Sequence, residues 1–456
     1  MPKRMTRRDF LKRSALGGAA VGLGVRSLEA LGAESAGPLP SSVLGANDRV
    51  RVGMIGVGAR AQELLEAIKK VPGTEIVAVC DAYKGRIERA IDRTGGKAKD
   101  YGDYRRILDD KSIDVVVIGT PDHWHAKMAI DAVNAGKDVY IEKPLTYRIE
   151  EGPEIIKAVK RSGRILQVGS QPMSSKIQEK AREIVASGKL GQITMIRAYY
   201  NRNTASGAWI YPIPPDASPK TVNWEMFLGP APKRPFSLER FFRWRCYWDY
   251  SGGIPTDLFV HLATSIHYVM GVKMAAKAMA MGALYRWKES REVPDTVNAV
   301  LEYKEGFMVN MSTTFNNQKL GGSGFQILGT EGSLEVSGGR LLFYPENVHE
   351  DNGWVVRSWP KKLEEQYYSD PKVLAEERPD TQEPTLLGDG EFYREQGWGS
   401  TLTHMRRFFE SVRTRKPPVE DAEAGHHAAA CAHLVNLSMK KGSVVEWDFA
   451  RDVAKV

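Results

Sequence analysis

Short apolar runs recur along the first part of the chain, separated by stretches with helical periodicity. The runs are rich in Val and Ile and lie at 50–55, 75–80, 114–119, 138–141 and 165–168. Between them, apolar positions recur every three or four residues at 61–70, 84–93, 104–109, 123–135 and 150–161. Strands that alternate with such helices predict βαβ units with right-handed crossovers and a parallel sheet. We therefore expect a doubly wound α/β domain over residues 47–170.

The pattern changes after residue 170. One helix is expected at 175–187, and longer segments that alternate or run apolar follow at 193–201, 275–284, 295–303, 307–314, 324–329, 332–336 and 340–344. Several of these segments are joined by turns that contain glycine, which is typical of neighbouring antiparallel strands. This predicts an α+β second domain over 171–456, with a mainly antiparallel sheet. Two last helices, 400–413 and 422–440, are expected to pack back onto the body.

The first 46 residues are interpreted as an export signal and a linker. A pair of arginines, Arg7 and Arg8, precedes a Gly/Ala-rich apolar run over residues 15–25. This order is that of a twin-arginine (Tat) signal, so we expect export to the periplasm or the cell surface. The alternatives are a basic amphipathic helix of the mature protein and an uncleaved tether at the membrane face. The run is shorter than the ~20 residues that a transmembrane helix needs, so no membrane span is expected.

Charge and cysteine content argue against several classes of partner. The formal net charge is +8, but residues 1–30 hold seven Lys/Arg and two Asp/Glu, which leaves only +3 for the rest of the chain. A nucleic-acid partner is therefore not expected. The three cysteines are widely spaced, which excludes a disulfide framework and a zinc ribbon. His426 and His427 lack a third ligand at useful spacing and would point to different faces of a helix, so no metal is expected.

The first strand runs into a glycine loop with the order of a dinucleotide-binding motif. The loop G-x-G-x-x-A is formed by Gly56, Val57, Gly58, Ala59, Arg60 and Ala61. Gly56 permits a tight turn, Gly58 lets the backbone approach a pyrophosphate, and the next helix offers free N–H groups. The second strand ends at Asp81, where a carboxylate accepts hydrogen bonds from ribose hydroxyls and repels a 2′-phosphate. Because neither Ala82 nor Tyr83 is basic, NAD is predicted rather than NADP.

Three further motifs give the chain a family resemblance. They are Thr120-Pro121-Asp122-His123-Trp124-His125 after strand four, Glu142-Lys143-Pro144-Leu145 after strand five, and Gly252-Gly253-Ile254-Pro255-Thr256-Asp257-Leu258-Phe259-Val260-His261. The series resembles the glucose–fructose oxidoreductase / inositol dehydrogenase / rhizopine catabolism (Gfo/Idh/MocA) family from about residue 48 to the last helices. The resemblance implies a Rossmann domain and a large open sheet domain with substrate held between them. It also implies a homo-oligomer formed through the open sheet.

The resemblance implies roles for individual residues as well. The implied catalytic set is Lys143, Asp257 and His261. The residues that would line the cofactor cleft, beside the glycine loop and Asp81, are Thr120, Pro121, His125, Glu142 and Lys143. The residues that would contact the substrate are Trp124, Tyr250, Asp257 and His261. Pro144 would follow a tight peptide bond, of the kind that proline allows to be cis, and would aim the preceding lysine.

These side chains fit alcohol oxidation, in which a hydroxyl loses its proton while hydride leaves the carbon. His261 suits a general base, because the unperturbed pKa of histidine is ~6.5. Asp257 would share a helix face with His261, where it can orient the imidazole or bind a substrate hydroxyl. An ammonium at Lys143 would stabilise the alkoxide. The structural alternatives are a solvated loop lysine, a core histidine and an aspartate that only caps a helix.

Two features bear on the substrate. Family members often carry an acidic residue three positions after the histidine that corresponds to His261, but Thr264 stands here. This departure bears on the identity of the substrate more than on the type of reaction. The stretch 205–250 is dense in aromatic residues, which with Arg243, Arg245 and Asp249 at their edge could form a carbohydrate pocket. The alternative is that these rings fill the core of their own loop or a subunit interface.

The leading hypothesis is an NAD-dependent oxidoreductase for a sugar or cyclitol. An exported enzyme meets no steady pool of free NAD, which favours a tightly bound cofactor. The same consideration supports an alternative, a redox-neutral glycosidase that oxidises a ring carbon, eliminates the glycoside and reduces again. Some glycosidases of the family lack the Glu-Lys-Pro that stands here at 142–144, which favours the dehydrogenase, but other redox-neutral members can keep it, so this motif does not decide between the two. A sugar-binding or sensor protein on an inactive scaffold is the third reading, and the intact catalytic set argues against it.

Overall fold

The structure, a computed structural model, describes residues 29–31, 49–317, 322–346, 352–377, 390–395 and 400–455. The twin-arginine motif and the apolar run of the predicted signal lie outside the described residues. The strands are β1 (Glu29–Leu31), β2 (Val50–Ile55), β3 (Thr74–Cys80), β4 (Lys99–Asp100), β5 (Val115–Ile118), β6 (Asp138–Glu142), β7 (Leu166–Gly169), β8 (Ile193–Asn201), β9 (Lys277–Ala283), β10 (Thr296–Tyr303), β11 (Phe307–Thr314), β12 (Gly322–Gly329), β13 (Gly332–Ser337), β14 (Arg340–Pro345), β15 (Glu391–Glu395), β16 (Val445–Asp448) and β17 (Val453–Lys455).

Helices connect these strands and cover the sheets. They are α1 (Ala59–Ile68), α2 (Lys84–Arg93), α3 (Tyr104–Asp109), α4 (His125–Asn134), α5 (Glu151–Ser162), α6 (Lys176–Ala186), α7 (Trp224–Leu228), α8 (Leu238–Phe242), α9 (Val260–Met270), α10 (Gly353–Val356), α11 (Lys361–Tyr368), α12 (Pro371–Glu376), α13 (Ser400–Thr414) and α14 (Ala422–Lys441). Short 3₁₀ turns lie at Asp122–Trp124, Gln171–Ser174 and Trp244–Cys246, and a π-helical turn at Pro255–Phe259 leads into α9.

The first sheet has six parallel strands in the order β4-β3-β2-β5-β6-β7. Its central strands are buried on both faces, as parallel sheets between helices require. The strand order reverses between β2 and β5, so the loops that follow them diverge and leave a crevice at their carboxyl ends. The predicted Rossmann sheet is therefore confirmed.

The second sheet has eleven strands in the order β1-β15-β14-β13-β12-β8-β11-β10-β9-β16-β17. Its pairs are antiparallel except β8 with β11 and β1 with β15. One face packs on α6, α9 and α14, and α9 lies between the other two helices. The prediction of an α+β domain with a mainly antiparallel sheet is confirmed.

The last helices pack back onto the body, as the sequence predicted. Met405, Phe408 and Phe409 of α13 join the core on one side of the first sheet. Ala422, the first residue of α14, joins the core on the other side, the following residues of α14 pack on α5 and β7, and its later part packs in the second domain. This tie holds the first sheet against α9, which carries part of the candidate site.

Residues 352–397 are polar and rich in Glu and Pro, and the described part of this stretch contains the helices α10, α11 and α12. α11 and α12 bury none of their residues, so their sequence lacks the apolar stripe from which a helix is recognised. The segment leaves the second sheet after β14 and returns at β15, whose pairing with β14 the pattern did not reveal.

Candidate active site

A cavity of about 1050 Å³ lies between the carboxyl ends of the first sheet and the second domain. The loops after β2, β3, β5 and β6 form one wall, and α9 with strands β8, β12 and β13 forms much of the other. Predicted site residues that line it are Gly56, Gly58, Ala59, Arg60, Asp81, Thr120, Pro121, Trp124, Glu142, Lys143, Asp257 and His261. The two sheets thus bring most of the predicted cofactor, catalytic and substrate residues to one cavity.

The glycine loop fits a bound dinucleotide. Gly56 has φ +77°, and a Cβ there would lie 2.8 Å from the Thr120 side chain and 2.9 Å from the neighbouring backbone, so only glycine fits. Gly58 caps the start of α1 without a side-chain hydrogen bond, and the first turn holds no acidic residue. The N–H groups at this helix end are therefore available for a phosphate.

Asp81 fixes the loop from the end of β3. Its carboxylate accepts hydrogen bonds from the backbone N–H of Val57 at 2.8 Å and of Tyr83 at 2.9 Å. Arg86 of α2 approaches the same carboxylate to 3.7 Å and also lines the cavity. The argument against NADP from Ala82 and Tyr83 overlooked this cation, because α2 brings Arg86 back over the strand end.

The Lys143–Pro144 peptide is cis, and Lys143 meets a carboxylate shared with a second cation. Lys143 Nζ donates to the backbone oxygen and to Oδ1 of Asp257, each at 2.8 Å, and Arg245 Nε donates to the same Oδ1 at 2.9 Å. Burial alone would raise the pKa of Asp257, but the charges of Lys143 and Arg245 outweigh it and hold the pKa below its usual range. A lysine ammonium has three donors, so one N–H remains for a substrate oxygen.

His261 faces the same cavity one helical turn after Asp257. Burial lowers its pKa well below the usual range, and the nearby charge of Lys143 acts in the same direction. The imidazole is therefore neutral at neutral pH, and its Nδ1 has no hydrogen-bond partner among the described residues. The predicted pairing of Asp257 with this ring is not the main contact of the carboxylate, which the two cations hold instead.

Local sequence explains how these groups converge. Gly253 has φ +66° and starts the segment that continues as the π-helical turn Pro255–Phe259. π turns occur mostly at functional sites, since they re-aim side chains within a helix. Here the turn places Asp257 above the end of β6, where the loop presents Lys143. Arg245 was not in the predicted catalytic set, because no motif marks it within the irregular stretch 205–250.

Glu142 holds the neighbouring side of the cavity together. Its Oε1 accepts from Arg60 Nε at 3.1 Å and from Gln171 Nε2 at 2.9 Å. Burial alone would lower the pKa of Arg60, but the charge of Glu142 outweighs it and raises the pKa above the usual range. Arg60 and Glu142 thus form a fixed pair between the glycine loop and the end of β6.

Three predicted site residues do not line the cavity, namely His125, Tyr250 and Val57. His125 is buried behind it, and its ring nitrogens face backbone oxygens, Nδ1 that of Pro144 at 2.6 Å and Nε2 that of Thr120 at 3.0 Å. Burial lowers its pKa to about 4, so the ring is neutral and its single N–H donates to one of these two oxygens only. Tyr250 is fully buried against His123 and Phe227, which corrects its assignment to the substrate.

Val57 and Trp124 contribute in a narrower way than predicted. The Val57 side chain is fully buried, so its part in the glycine loop is the backbone N–H given to Asp81. Trp124 lines the cavity, but its indole N–H donates to the backbone oxygen of Phe227 at 3.0 Å. It therefore offers a ring surface rather than a polar contact.

A further buried acid, Asp122, lies beside the predicted catalytic set. Asp122 lines the cavity at 2% exposure, and its Oδ2 has no hydrogen-bond partner among the described residues. Burial raises its pKa to about 7, against the opposing charge of Arg245. The sequence motif contained this residue, but its pattern gave no sign of the burial that makes it an acid near neutrality.

Asp122 is expected to lower stability as pH rises. Its folded-state pKa of about 7 lies above the ~3.9 of an unfolded aspartate, so the folded state holds an extra proton between these values and stability falls as the pH rises from about 4 to about 7. Asp122→Asn should therefore raise Tm relative to wild type at pH 8, by on the order of 2–4 °C for each kcal/mol regained. The measurement is thermal unfolding from pH 5 to pH 8. A Tm difference that stays constant over this range would contradict the assignment.

The acidic group that the sequence lacks at position 264 comes from elsewhere in the chain. Thr264 donates a hydrogen bond to Oε1 of Glu420 at 3.3 Å. Burial raises the pKa of Glu420 to about 8. A carboxyl group thus stands behind the catalytic helix after all, although 156 residues separate the two partners.

The two adjacent histidines converge, contrary to the expectation that they point apart. His426 and His427 both approach the carboxylate of Asp452, at 3.4 and 3.2 Å. Across the part of the chain that the structure describes, no group of three or more potential ligands is arranged to hold a metal ion.

Within the residues that the structure describes, no helix has the length and apolar content to cross a membrane.

Two family models match most of the chain. The model described as "Oxidoreductase family, NAD-binding Rossmann fold" matches residues 50–170, and the one described as "Oxidoreductase family, C-terminal alpha/beta domain" matches residues 182–447. NAD is therefore the cofactor of the first domain, in agreement with its glycine loop and Asp81.

Curated relatives match part of the chain. Inositol 2-dehydrogenase of Salmonella typhimurium is 35% identical over 158 residues, which is 34% of this chain and 47% of that protein. Alpha-N-acetylgalactosaminidase of Shewanella oneidensis is 31% identical over 214 residues, which is 42% of this chain and 45% of that protein. The matches thus span about half the length of these relatives.

Among solved structures, levoglucosan dehydrogenase in complex with NADH and levoglucosan has the same fold. It superposes with a TM-score of 0.64 at 21% identity, covering 87% of this chain and 99% of that one.

Proposed function

The chain belongs to the Gfo/Idh/MocA oxidoreductase family, and from this premise we propose that it transfers hydride between a nicotinamide and a hydroxyl of a sugar or cyclitol. The observation that carries the proposal is the meeting of Lys143, Asp257 and His261 in the cavity that the glycine loop also lines. Relatives named for inositol and levoglucosan support a polyhydroxylated substrate.

The residues divide the chemistry between them. The remaining N–H of Lys143 binds the substrate oxygen and stabilises the negative charge that develops when its proton leaves. His261 is neutral and takes that proton. Asp257 holds Lys143 in place and is itself fixed by Arg245, so little reorganisation is needed during reaction. Bound NAD supplies the hydride acceptor.

The first test is chemical analysis of purified protein. The protein is denatured and the released small molecules are assayed for NAD(H), and a panel of sugars, cyclitols and glycosides is screened by product analysis. Oxidation of a hydroxyl with matching formation of NADH supports the proposal. Absence of NAD from the protein, together with failure to bind added NAD, would remove its basis.

A second candidate is the redox-neutral glycosidase. It is favoured by the relative named Alpha-N-acetylgalactosaminidase, at 31% identity over part of the chain. The same assay separates the two, because a glycosidase releases an alcohol from a glycoside with no net NADH. Incorporation of solvent deuterium at the carbon next to the oxidised one, without net NADH, would identify this alternative.

We also propose that the chain is exported by the Tat route, on the basis of Arg7 and Arg8 ahead of an apolar Gly/Ala-rich run. Expressed in a Tat-competent bacterium, the wild type should appear in the periplasmic or cell-surface fraction, and the double Arg-to-Lys variant at these positions should stay inside. Equal distribution of both would refute the assignment.

The open face of the second sheet is proposed as the surface of a homo-oligomer. Met279, Met281, Val300 and Met308 are exposed there, and Met279 lies directly opposite Val300. Such a cluster of apolar side chains marks an association surface. Met281→Glu, at a side chain 75% exposed, should dissociate the oligomer, because a carboxylate would be buried at the interface.

The measurement is the molar mass in solution by light scattering. Leu374→Glu is the matched control, since Leu374 is also an exposed apolar residue but lies on α12. A monomeric wild type, or equal masses for wild type and Met281→Glu, would contradict the proposed surface.

A further inference from the structure

We propose that the substrate is a sugar that carries a carboxylate, and that Arg202 binds this group beside the catalytic set. The inference rests on the proposed function and narrows its substrate class. Arg202 follows the last residue of β8 and lines the cavity together with Asp257 and His261.

The position of Arg202 relative to the reacting groups is set by Tyr200. The guanidinium carbon of Arg202 lies 4.9 Å from the centroid of the Tyr200 ring. The same ring lies 6.4 Å from that of His261. A sugar whose reacting carbon faces the imidazole can therefore place a substituent against the guanidinium, with Tyr200 beside it.

Arg202 is not neutralised by the protein. Among the described residues, no carboxylate lies within 4.0 Å of it, and its side chain donates one hydrogen bond, from Nη1 to the backbone oxygen of Gly207 at 3.1 Å. A guanidinium carries five N–H donors in a fixed fork that matches a carboxylate. Most of this capacity is therefore left for a ligand.

The surrounding charges add to the excess. Lys143 and Arg245 share the single carboxylate of Asp257, so the three cations face one anion. Other cavity charges are already paired, Arg60 with Glu142 and Arg86 with Asp81. Asp122 offers little compensation at neutral pH or below, because burial raises its pKa to about 7. The substrate end of the cavity therefore favours an anion.

A packing role alone does not account for Arg202. Its guanidinium lies over the rings of Tyr200 and Phe315, which a neutral side chain of similar length could also cover. A charge kept beside two other cations costs stability unless something offsets it. An anionic ligand provides that offset and is fixed by a bidentate contact.

The test compares sugars that differ only in the carboxylate. The NAD-loaded full chain is titrated calorimetrically with the methyl glycosides of glucuronate and galacturonate and with the neutral glucoside and galactoside, and NADH formation is followed in parallel. At least one acidic member should bind about 10- to 100-fold more tightly than its neutral counterpart, as expected for charged hydrogen bonds. Added salt should reduce this preference.

Variants assign the preference to one residue. Arg202→Gln should remove most of it, by lowering affinity for the acidic sugar and leaving affinity for the neutral one within about twofold. Arg164→Gln makes the same charge change at an exposed residue outside the cavity and should keep the preference. A preference that survives Arg202→Gln, or that no acidic member shows, overturns the inference.

The outcome also separates this inference from the proposed function. NADH formation from a neutral sugar, with no gain from the carboxylate, would leave the oxidoreductase standing and reject the acidic substrate. Tight, Arg202-dependent binding of an acidic sugar without any redox change in either direction would reject the dehydrogenase and retain the binding site.

Discussion

Replacing Lys143 with methionine is expected to lower kcat by about 10³-fold while the protein still retains NAD. The ammonium is held at 2.8 Å from two oxygens of Asp257, and its third N–H stabilises the developing alkoxide. Loss of one preorganised donor of this kind lowers kcat by roughly 10²–10³-fold, and here a full charge is lost with it. NAD content is measured after denaturation, and kcat from NADH formation.

Lys137→Met is the matched control for this change. Lys137 is also buried, and its Nζ donates to the backbone oxygens of Asp110 and Ile113, outside the cavity. It should lose stability but keep kcat within a few-fold. If Lys143→Met kept kcat within about tenfold of wild type, the lysine would be a structural residue and the catalytic set would have to be redrawn.

Both sheets were predictable because their patterns are local. The parallel strands repeat with helices of regular length, and most strands of the second sheet alternate clearly or end at glycine turns. β15 to β17 were missed because they are short, and β15 and β16 also pair with strands far away in the chain. The resemblance in motifs is confirmed by family models that cover both domains.

The site was predictable only where a motif marked it. Lys143, Asp257 and His261 stand in motifs, and the structure brings them into one cavity. Arg245 stands in an irregular stretch, and Glu420 reaches Thr264 from a distant part of the chain, so neither has a local signal. His125 shows the opposite case, because its motif position suggested contact with cofactor whereas burial gives it a supporting role.

These differences have one physical origin. Spacing along the chain reports which residues can share a loop or a helix face, but not how deeply they are buried. Burial raises the pKa of Asp122, and the fold brings Arg202 into the same cavity as Lys143 and Arg245. Both effects depend on contacts between the two domains. The proposed carboxylate on the substrate therefore rests on the structure, whereas the proposed reaction type already rested on the motifs.

Asp257→Asn is expected to lower both activity and stability. The amide removes the only anion shared by Lys143 and Arg245, which leaves two largely buried cations facing each other. Breaking a buried pair in this way costs roughly 3–5 kcal/mol. The free lysine would also lose its fixed position, so kcat should fall by about 10²-fold. The measurements are kcat and the free energy of unfolding from denaturant titration.

The free energy of unfolding at acidic pH gives a second test of Asp257→Asn. Because the cations hold the pKa of Asp257 below its usual range, ionised Asp257 contributes stability above the ~3.9 of an unfolded aspartate. That contribution is lost as pH falls further, toward the folded-state pKa. The destabilisation by Asp257→Asn should therefore be largest near neutral pH and shrink as the pH falls below about 4.

Asp249→Asn is the control that separates the loss of stability from the loss of activity in Asp257→Asn. Asp249 also binds two arginines, Arg234 and Arg240, each at 2.9 Å, but it lies outside the cavity. It should lose stability and keep kcat, whereas Asp257→Asn loses both. Adding Lys143→Met to Asp257→Asn should recover part of the stability without activity, because the unpaired ammonium is gone. Additive losses of stability in that double variant would show that the shared carboxylate does not hold the two cations together.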